Sequence, residues 1–257
     1  MMHALLFNAL TILCIVVPLW LVSVWRKDVS IVDPFWSMLF LAVTVRTFAT
    51  SPAGTGKRVL LAMVALWALR LCLHLLWRLR GKAEDPRYTA FRQRFGPERY
   101  WWVSLFQVFL LQGALALGIS APLQLRMLSP GGTLGVLEFG AIGLFSVGFF
   151  IEALADKQLQ SFRNDPAQRG RVLDTGLFRY SRHPNYFGET LIMWSFWLFA
   201  VNAPGGYATV FSPLLMTFLL LRVSGVSMLD AHLMRTRPGY DAYMRRTSSF
   251  VLWPPRS

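Results

Sequence analysis

The sequence predicts an all-α integral membrane protein, and three observations support this fold class. The 257-residue chain is 54% hydrophobic and only 15% charged, which excludes disorder and argues against an ordinary soluble domain. Seven apolar runs approach the length of about 20 residues that a helix needs to cross a bilayer. The 26 Lys and Arg residues are distributed unevenly between the connections. We therefore predict a single membrane domain over residues 1–257, with seven transmembrane helices, or six as the alternative.

The seven runs follow one another without an internal repeat. They cover approximately Ala4–Trp25, Ile31–Ala49, Val59–Trp77, Val103–Ala121, Leu134–Glu152, Phe187–Val201 and Tyr207–Leu221. The last two are short, and they could instead form a tilted pair or one broken hairpin. The first run is long and has no clear small-residue cleavage site, so we expect a retained helix rather than a signal peptide.

Charge indicates the orientation of these helices. Twenty Lys and Arg residues lie in the first, third and fifth connections and the C-terminal tail, and only four lie in the second and fourth. The positive-inside rule then predicts an N-terminus outside and a cytoplasmic C-terminus. The net charge of +13 is mostly this topology signal, so we expect an anionic cytoplasmic leaflet as neighbour and no nucleic acid.

Metal and disulfide chemistry have little support in the sequence. Cys14 and Cys72 fall within apolar runs, and the four histidines are scattered at positions 3, 74, 183 and 232. This spacing lacks the histidine clusters of a membrane di-iron oxygenase and any cysteine metal motif. We predict no metal site.

Three stretches are too polar to span, namely Arg78–Trp102, Ala153–Tyr186 and Asp230–Ser257. Within the first, Tyr88–Phe95 suits a short interfacial helix. The second continues out of the fifth span and breaks near Pro166. All three should lie on the cytoplasmic side, where one ligand could meet them together.

The most unusual segment is GLFRYSRHPNYFGE at residues 176–189, which we call the cassette. It sets Arg182, His183, Asn185 and Glu189 directly before an apolar run. Polar groups so near the bilayer are costly unless they are paired, so the cassette predicts a ligand site, most simply for an anion.

A helical stripe precedes the cassette. Glu152, Asp156, Gln160 and Arg163 fall at offsets of 0, 4, 8 and 11, which is one face of a continuous helix. Such a stripe could bind an amide, a ribose or a phosphate. For Gln160, a solvated helix face explains the pattern equally well.

Other charged residues lie nearer the N-terminus. Arg70 is about eight residues from the end of its run, so it should meet a water-filled cavity, or pair with Asp33 or Glu152. Asp33 before a proline is typical of a helix N-cap and first turn, and it is also a candidate proton donor. Arg80 and Arg87 could bind a phosphate through charged hydrogen bonds.

The cassette, together with EALADKQLQSFR at 152–163, resembles the C-terminal domain of the steroid 5α-reductase family, in its bacterial membrane branch. WALRL at 67–71, EDPRY at 84–88 and the tail residues Pro238-Gly239-Tyr240 fit the same branch. The resemblance implies a cytoplasmic NADPH site in residues 134–257 and a lipophilic substrate cavity formed by residues 1–121. It also implies a bacterial inner-membrane location.

The resemblance implies roles for individual residues. Glu152 and Asp156 match positions at the nicotinamide end, and Asn185 matches an asparagine that contacts the cofactor. Arg163 and Arg171 match basic residues near the phosphates, and Arg70 matches an arginine on the cavity wall. Glu189 matches the acid that follows the asparagine. We also assign to the cofactor site the cassette residues Tyr180, Arg182, His183 and Tyr186.

The chain departs from the steroid enzymes on the substrate side. Those enzymes polarise a ketone with a Glu and a Tyr on earlier helices, whereas this chain has Trp67 where the tyrosine is expected and only Asp33 in the glutamate region. Candidate catalytic residues are therefore Asp33 and Glu152.

We thus predict a cytoplasm-facing NADPH-dependent reductase that transfers hydride to the C=C bond of a lipophilic enone, such as a steroid, sterol, polyprenyl or fatty-acyl compound. One alternative is an S-adenosylmethionine-dependent methyltransferase, because RHPNYFG and the Tyr-rich tail also resemble isoprenylcysteine carboxyl methyltransferases. A second alternative is a non-enzymatic membrane module that binds a lipid or a partner subunit.

Overall fold

The structure, a computed structural model, describes residues 2–131, 133–223 and 225–256, and these residues are entirely helical, turn or loop. The α-helices are α1 Met2–Arg26, α2 Val32–Ala49, α3 Thr55–Leu79, α4 Pro86–Phe95, α5 Tyr100–Ile119, α6 Ala121–Leu128, α7 Val136–Asn164, α8 Pro184–Ala200, α9 Phe211–Phe218, α10 Val226–Thr236 and α11 Tyr240–Arg246. Helix α5 contains a π-helical segment, Leu105–Leu110.

Six segments of the described chain are long and apolar enough to cross a membrane. They are Met2–Arg26, Val29–Ala49, Thr55–Leu79, Tyr100–Ile119, Val136–Asn164 and Gly206–Thr236. The protein is therefore a multi-pass integral membrane protein, as predicted. The predicted sixth run forms α8, whose 17 residues extend about 26 Å at 1.5 Å each. This length lies at the lower limit of about 17 residues for a spanning helix. The described chain therefore has six clear candidate spans, the number given as the alternative, with α8 at the limit.

The polar stretches fold largely as the sequence predicts. The short helix predicted at Tyr88–Phe95 is found as α4, which begins at Pro86 because Asp85 caps it by accepting a hydrogen bond from the Arg87 amide. Helix α7 continues well past the apolar run and ends at Asn164, two residues before Pro166. Proline cannot supply the amide that the helix would need there.

The start of α2 differs from the prediction of an N-cap at Asp33. A 3-10 turn, Val29–Ile31, precedes the helix, and Asp28 caps that turn by accepting from the Ser30 amide at 2.9 Å. Asp33 is consequently the second residue of α2, with its carboxylate available for partners elsewhere in the chain. The capping role thus belongs to a different aspartate, five residues earlier.

The described residues divide into two compact units. The first unit comprises those within 1–134 and 203–206, and the second comprises those within 135–202 and 207–257. In the first unit, Phe40 and Trp67 are fully buried and pack edge-to-face, with ring centroids 5.5 Å apart. In the second unit, α7 and α8 approach closely because Gly148 and Gly188 face each other.

Candidate functional site

The cassette begins as a 3-10 turn that is fixed to α7. The Leu177 amide donates a hydrogen bond to Gln158 Oε1 at 2.9 Å. The preceding Gly176 has a φ of +61°, and a Cβ there would lie 2.5 Å from the Gln158 amide group. The left-handed backbone therefore favours glycine here, and a side chain at this position would displace the Gln158 amide from its bond to Leu177. Gln158, which the sequence analysis did not select, thus positions the start of the cassette.

The C-terminal tail holds the cassette from the other side. The contacts are Arg182 N to Ser248 O at 2.9 Å, Ser181 Oγ to Phe250 O at 2.7 Å, Tyr243 Oη to Phe178 O at 2.5 Å and Trp253 N to Tyr180 O at 3.0 Å. All but the Tyr243 and Ser181 contacts have backbone donors, and all acceptors are backbone carbonyls. The tail therefore fixes the cassette backbone through two main-chain bonds and through the hydroxyl groups of Ser181 and Tyr243.

Asp230, at one end of the tail, is the centre of a buried polar cluster. Its carboxylate accepts from Tyr240 Oη at 2.5 Å, lies 2.9 Å from His183 Nε2, and forms an ion pair with Arg182 Nη1 at 3.2 Å. Burial raises the pKa of Tyr240, and its hydrogen bond to Asp230 and the charge of Asp230 raise it further. The phenol therefore stays a proton donor at neutral pH.

Arg182 has hydrogen-bonding capacity left over. Its side chain is only 8% exposed, and its Nε finds no acceptor among the residues that the structure describes. It stands two residues before the first residue of α8, where His183 occupies the N-cap position without a side-chain cap. A buried guanidinium group next to the first turn of a helix favours the binding of an anion at that position.

The predicted stripe lies on α7 and is only partly solvated. Glu152 and Asp156 are buried, and the Asn185 side-chain amide donates to Asp156 Oδ1 at 3.3 Å. Gln160 Nε2 instead donates to the Asn164 side chain at 2.8 Å, consistent with a solvated helix face. The structure thus joins the stripe to the cassette through one carboxylate and one amide.

The remaining cassette predictions differ in environment. The Tyr186 ring stacks on His183, with centroids 5.6 Å apart and planes 7° from parallel. Tyr180 is 42% exposed, and Glu189 is half-buried. Arg163 and Arg171, predicted to lie near phosphates, are both exposed.

The first unit contains a second polar cluster, around Asp33. Its carboxylate accepts from Tyr88 Oη at 2.6 Å and from Arg87 Nη2 at 2.8 Å. Arg87 also donates to Asp85, and although burial raises the pKa of Asp85, these hydrogen bonds outweigh burial and leave it below its usual value. Arg87 is therefore compensated by two carboxylates. Arg70, by comparison, is half-buried on α3.

Tyr88 is a residue that the sequence analysis missed as a functional candidate. Trp67 occupies the position where the resemblance places a tyrosine, and Tyr88 on α4 donates a hydrogen bond to Asp33 at 2.6 Å. Burial raises the pKa of Tyr88, and the charge and hydrogen bond of Asp33 raise it further. The amide of Gln112 approaches the same phenol oxygen at 3.4 Å. The signal available in the sequence was EDPRY itself, in which only the arginine was selected. Arg80, close by, is exposed at the end of α3.

Comparisons with known proteins agree with a membrane family. A family model described as a protein of unknown function, DUF1295, matches residues 19–247. An uncharacterised protein of Schizosaccharomyces pombe is 32% identical over 211 residues, which cover 72% of this chain and 61% of that protein. The chain therefore spans less than two thirds of the relative's length. No solved structure matches the chain.

Proposed function

This chain belongs to the DUF1295 family and is a multi-pass membrane protein, and we propose that it is an NADPH-dependent reductase. The substrate in this proposal is a lipophilic enone whose C=C bond accepts a hydride. The cassette and its resemblance to steroid 5α-reductases suggest the cofactor, and the geometry around Arg182 supports an anionic ligand independently.

Arg182 is the observation that carries the proposal. Its Nη1 forms an ion pair with Asp230 at 3.2 Å, but neither Nη1 nor the buried Nε has a hydrogen-bond acceptor among the described residues. A phosphate oxygen would satisfy this donor and would also benefit from the start of α8. NADPH carries three phosphate groups, so a dinucleotide fits this requirement better than a neutral ligand does.

The nicotinamide end of the cofactor would be held by polar groups of α7 and the cassette. Asn185 and Asp156 already form a hydrogen-bonded amide–carboxylate pair at 3.3 Å, which is the type of group that recognises a carboxamide. Glu152 lies one helical turn before Asp156 and is buried. Exposed Arg163 and Arg171 would contact phosphates. When bound, NADPH supplies the hydride, and the protein supplies position and charge.

Asp33 and Tyr88 are the proposed polarising pair for the substrate carbonyl. In the structure, the Tyr88 phenol donates its only proton to Asp33 at 2.6 Å. If Asp33 takes up a proton, it can donate to Tyr88 Oη, and the phenol proton then becomes available for a substrate oxygen. Arg87 holds the carboxylate in place through its 2.8 Å contact. This assigns Tyr88 the role of hydrogen-bond donor and Asp33 that of its proton partner.

The test is thermal stabilisation of the purified protein by NADPH, NADH and S-adenosylmethionine. A ligand that binds only the folded state adds about 2.7 kcal/mol at 100 times its Kd. We expect NADPH to stabilise the protein, and Arg182→Gln and Asn185→Ala to weaken that response. Arg245→Ala is the matched control, because that exposed arginine forms an i,i+4 ion pair with Asp241 on α11.

The outcomes separate the alternatives. Stabilisation by S-adenosylmethionine alone would overturn the reductase proposal in favour of a methyltransferase. Indifference to all three ligands would favour a non-enzymatic membrane module. Equal NADPH affinity in Arg182→Gln, Asn185→Ala and Arg245→Ala would retain the reductase class but reject the proposed site.

A further inference from the structure

Two cationic side chains are buried at one end of the first unit. Lys57, in the first turn of α3, has no accessible surface, and Arg126 on α6 is 5% exposed. Helix α6 packs against α2 and against α3, which carries Lys57 in its first turn. Two buried like charges are unfavourable unless a nearby anion compensates them.

Neither cation has an acidic partner among the described residues. Lys57 Nζ donates to the Pro52 carbonyl at 3.0 Å, whereas the buried Nε of Arg126 finds no acceptor there. Arg46, in the last turn of α2, is by contrast well satisfied, since its Nη1 donates to Ala4 O at 3.0 Å and to Asn8 Oδ1 at 3.1 Å. This part of the fold can therefore satisfy an arginine, but it leaves Arg126 open.

The first unit has no carboxylate in this region. Its five acids are Asp28, Asp33, Glu84, Asp85 and Glu98. All of them precede or begin α2, or follow α3. Lys57 lies in the first turn of α3, and Arg126 lies on α6 near Gln124, which bonds Asn8 beside Thr47 in the last turn of α2. A helix of this length separates the two ends by about 30 Å. Compensation by an acid of the same unit is therefore excluded by distance.

We propose that Lys57 and Arg126 form a binding site for a phosphate group. An ammonium and a planar guanidinium together match the charge and the several acceptor oxygens of phosphate. The start of α3 adds to this, because Gly54 occupies its N-cap without a side-chain cap and leaves the first backbone amides open. A free phosphate or the headgroup of a phospholipid carries the required chemistry.

This site is separate from the proposed reductase chemistry. The NADPH and carbonyl proposals use neither Lys57 nor Arg126. The positive-inside rule also assigns the connections next to Lys57 and Arg126 to the non-cytoplasmic side, whereas NADPH is expected in the cytoplasm. A bound phosphate at this end would therefore stabilise the first unit rather than take part in hydride transfer.

The experiment uses the full-length chain, stripped of lipid in a neutral detergent. Sodium phosphate is titrated at constant ionic strength, with chloride as the balancing anion, and thermal unfolding is recorded. A second series adds phosphatidylglycerol to the micelles in place of phosphate. The variants are Lys57→Gln and Arg126→Gln, and the matched control is Arg58→Gln, which removes an exposed charge next to Lys57.

We expect phosphate or phosphatidylglycerol to stabilise the wild type and Arg58→Gln alike. Lys57→Gln and Arg126→Gln should need on the order of 10- to 100-fold more ligand, as expected for the loss of a charged hydrogen bond. Without ligand, Arg126→Gln should unfold no earlier than the wild type, because the substitution removes an uncompensated buried charge. This sign distinguishes a ligand site from a simple structural role.

The two series identify the source of the phosphate. A response to inorganic phosphate indicates a free anion, and a response to phosphatidylglycerol alone indicates a lipid headgroup. Indifference of the wild type to both ligands, or an equal response in all four proteins, would overturn the proposal. Direct binding of radiolabelled phosphate by Arg126→Lys, which retains the charge, provides the measurement if either glutamine variant does not fold.

Discussion

Substitution of Gly188 by alanine should disturb the packing of α7 on α8. A Cβ at position 188 would lie 2.6 Å from the Glu152 backbone nitrogen and 2.7 Å from the Gly148 carbonyl oxygen. Ordinary contacts of this kind are about 3.5–4.0 Å, so the two helices must separate by roughly 1 Å. Because both neighbours are backbone atoms, no side-chain rotation can relieve the contact.

The expected magnitude follows from two opposing effects. Overpacking of a tight contact costs about 1–3 kcal/mol, and two backbone contacts favour the upper end of that range. Replacing glycine by alanine within a helix returns about 1 kcal/mol through backbone propensity. Gly188→Ala should therefore lower the free energy of unfolding by about 2 kcal/mol.

Gly143→Ala is the control on α7. A Cβ there has no neighbour within 4 Å, so only the propensity gain of about 1 kcal/mol remains. The two variants should consequently differ by about 3 kcal/mol in the free energy of unfolding, measured by denaturant titration in mixed micelles. If Gly188→Ala is as stable as Gly143→Ala, the close approach of α7 and α8 does not exist in the protein.

Two further predictions concern the tail. Burial and Asp230 raise the pKa of Tyr240 above the ordinary value of about 10. The stabilising contribution of Tyr240 is therefore complete below pH 10 and declines above it, by up to about 1.4 kcal/mol per pH unit. Tyr240→Phe should reduce this alkaline decline in unfolding titrations, and an unchanged slope would contradict the assignment. Tyr243→Phe leaves the buried Phe178 carbonyl without its 2.5 Å donor and should lower the free energy of unfolding by about 1–3 kcal/mol. The control Arg245→Gln breaks an exposed i,i+4 pair and should lower it by no more than about 0.5 kcal/mol in the same assay.

The elements of the fold followed from local sequence signals. Hydropathy located the long apolar helices, and Pro86 and Pro166 indicated where α4 begins and α7 ends. The number of spans was harder to predict, because α8 has 17 residues, a length close to the limit for crossing the bilayer. The capping role of Asp33 was wrong because an unrecognised 3-10 turn, capped by Asp28, precedes the helix.

The candidate site was less predictable because its contacts join distant parts of the chain. Helical spacing placed Glu152 and Asp156 on one face, and the structure links that face to Asn185. No local pattern could show that Asp230 is 2.9 Å from His183, since 47 residues separate them. Likewise, Tyr88 and Asp33 are 55 residues apart in sequence. Spacing along one helix can be read from sequence, whereas pairing between helices requires the fold.

The arginines differ in how their charge is compensated, and this difference separates structural from ligand-binding roles. Arg87 meets two carboxylates and donates to both, so an added anion has little to gain there. Arg182 forms an ion pair with Asp230, but two of its buried nitrogens, Nε and Nη1, have no hydrogen-bond acceptor among the described residues. Arg126 meets no carboxylate of its own unit among the described residues. Since each missing counter-charge raises the benefit of binding an anion, anion-dependent stabilisation should depend most on Arg126, less on Arg182 and least on Arg87. A different order in the corresponding glutamine variants would show that burial alone, rather than missing counter-charge, determines where anions bind.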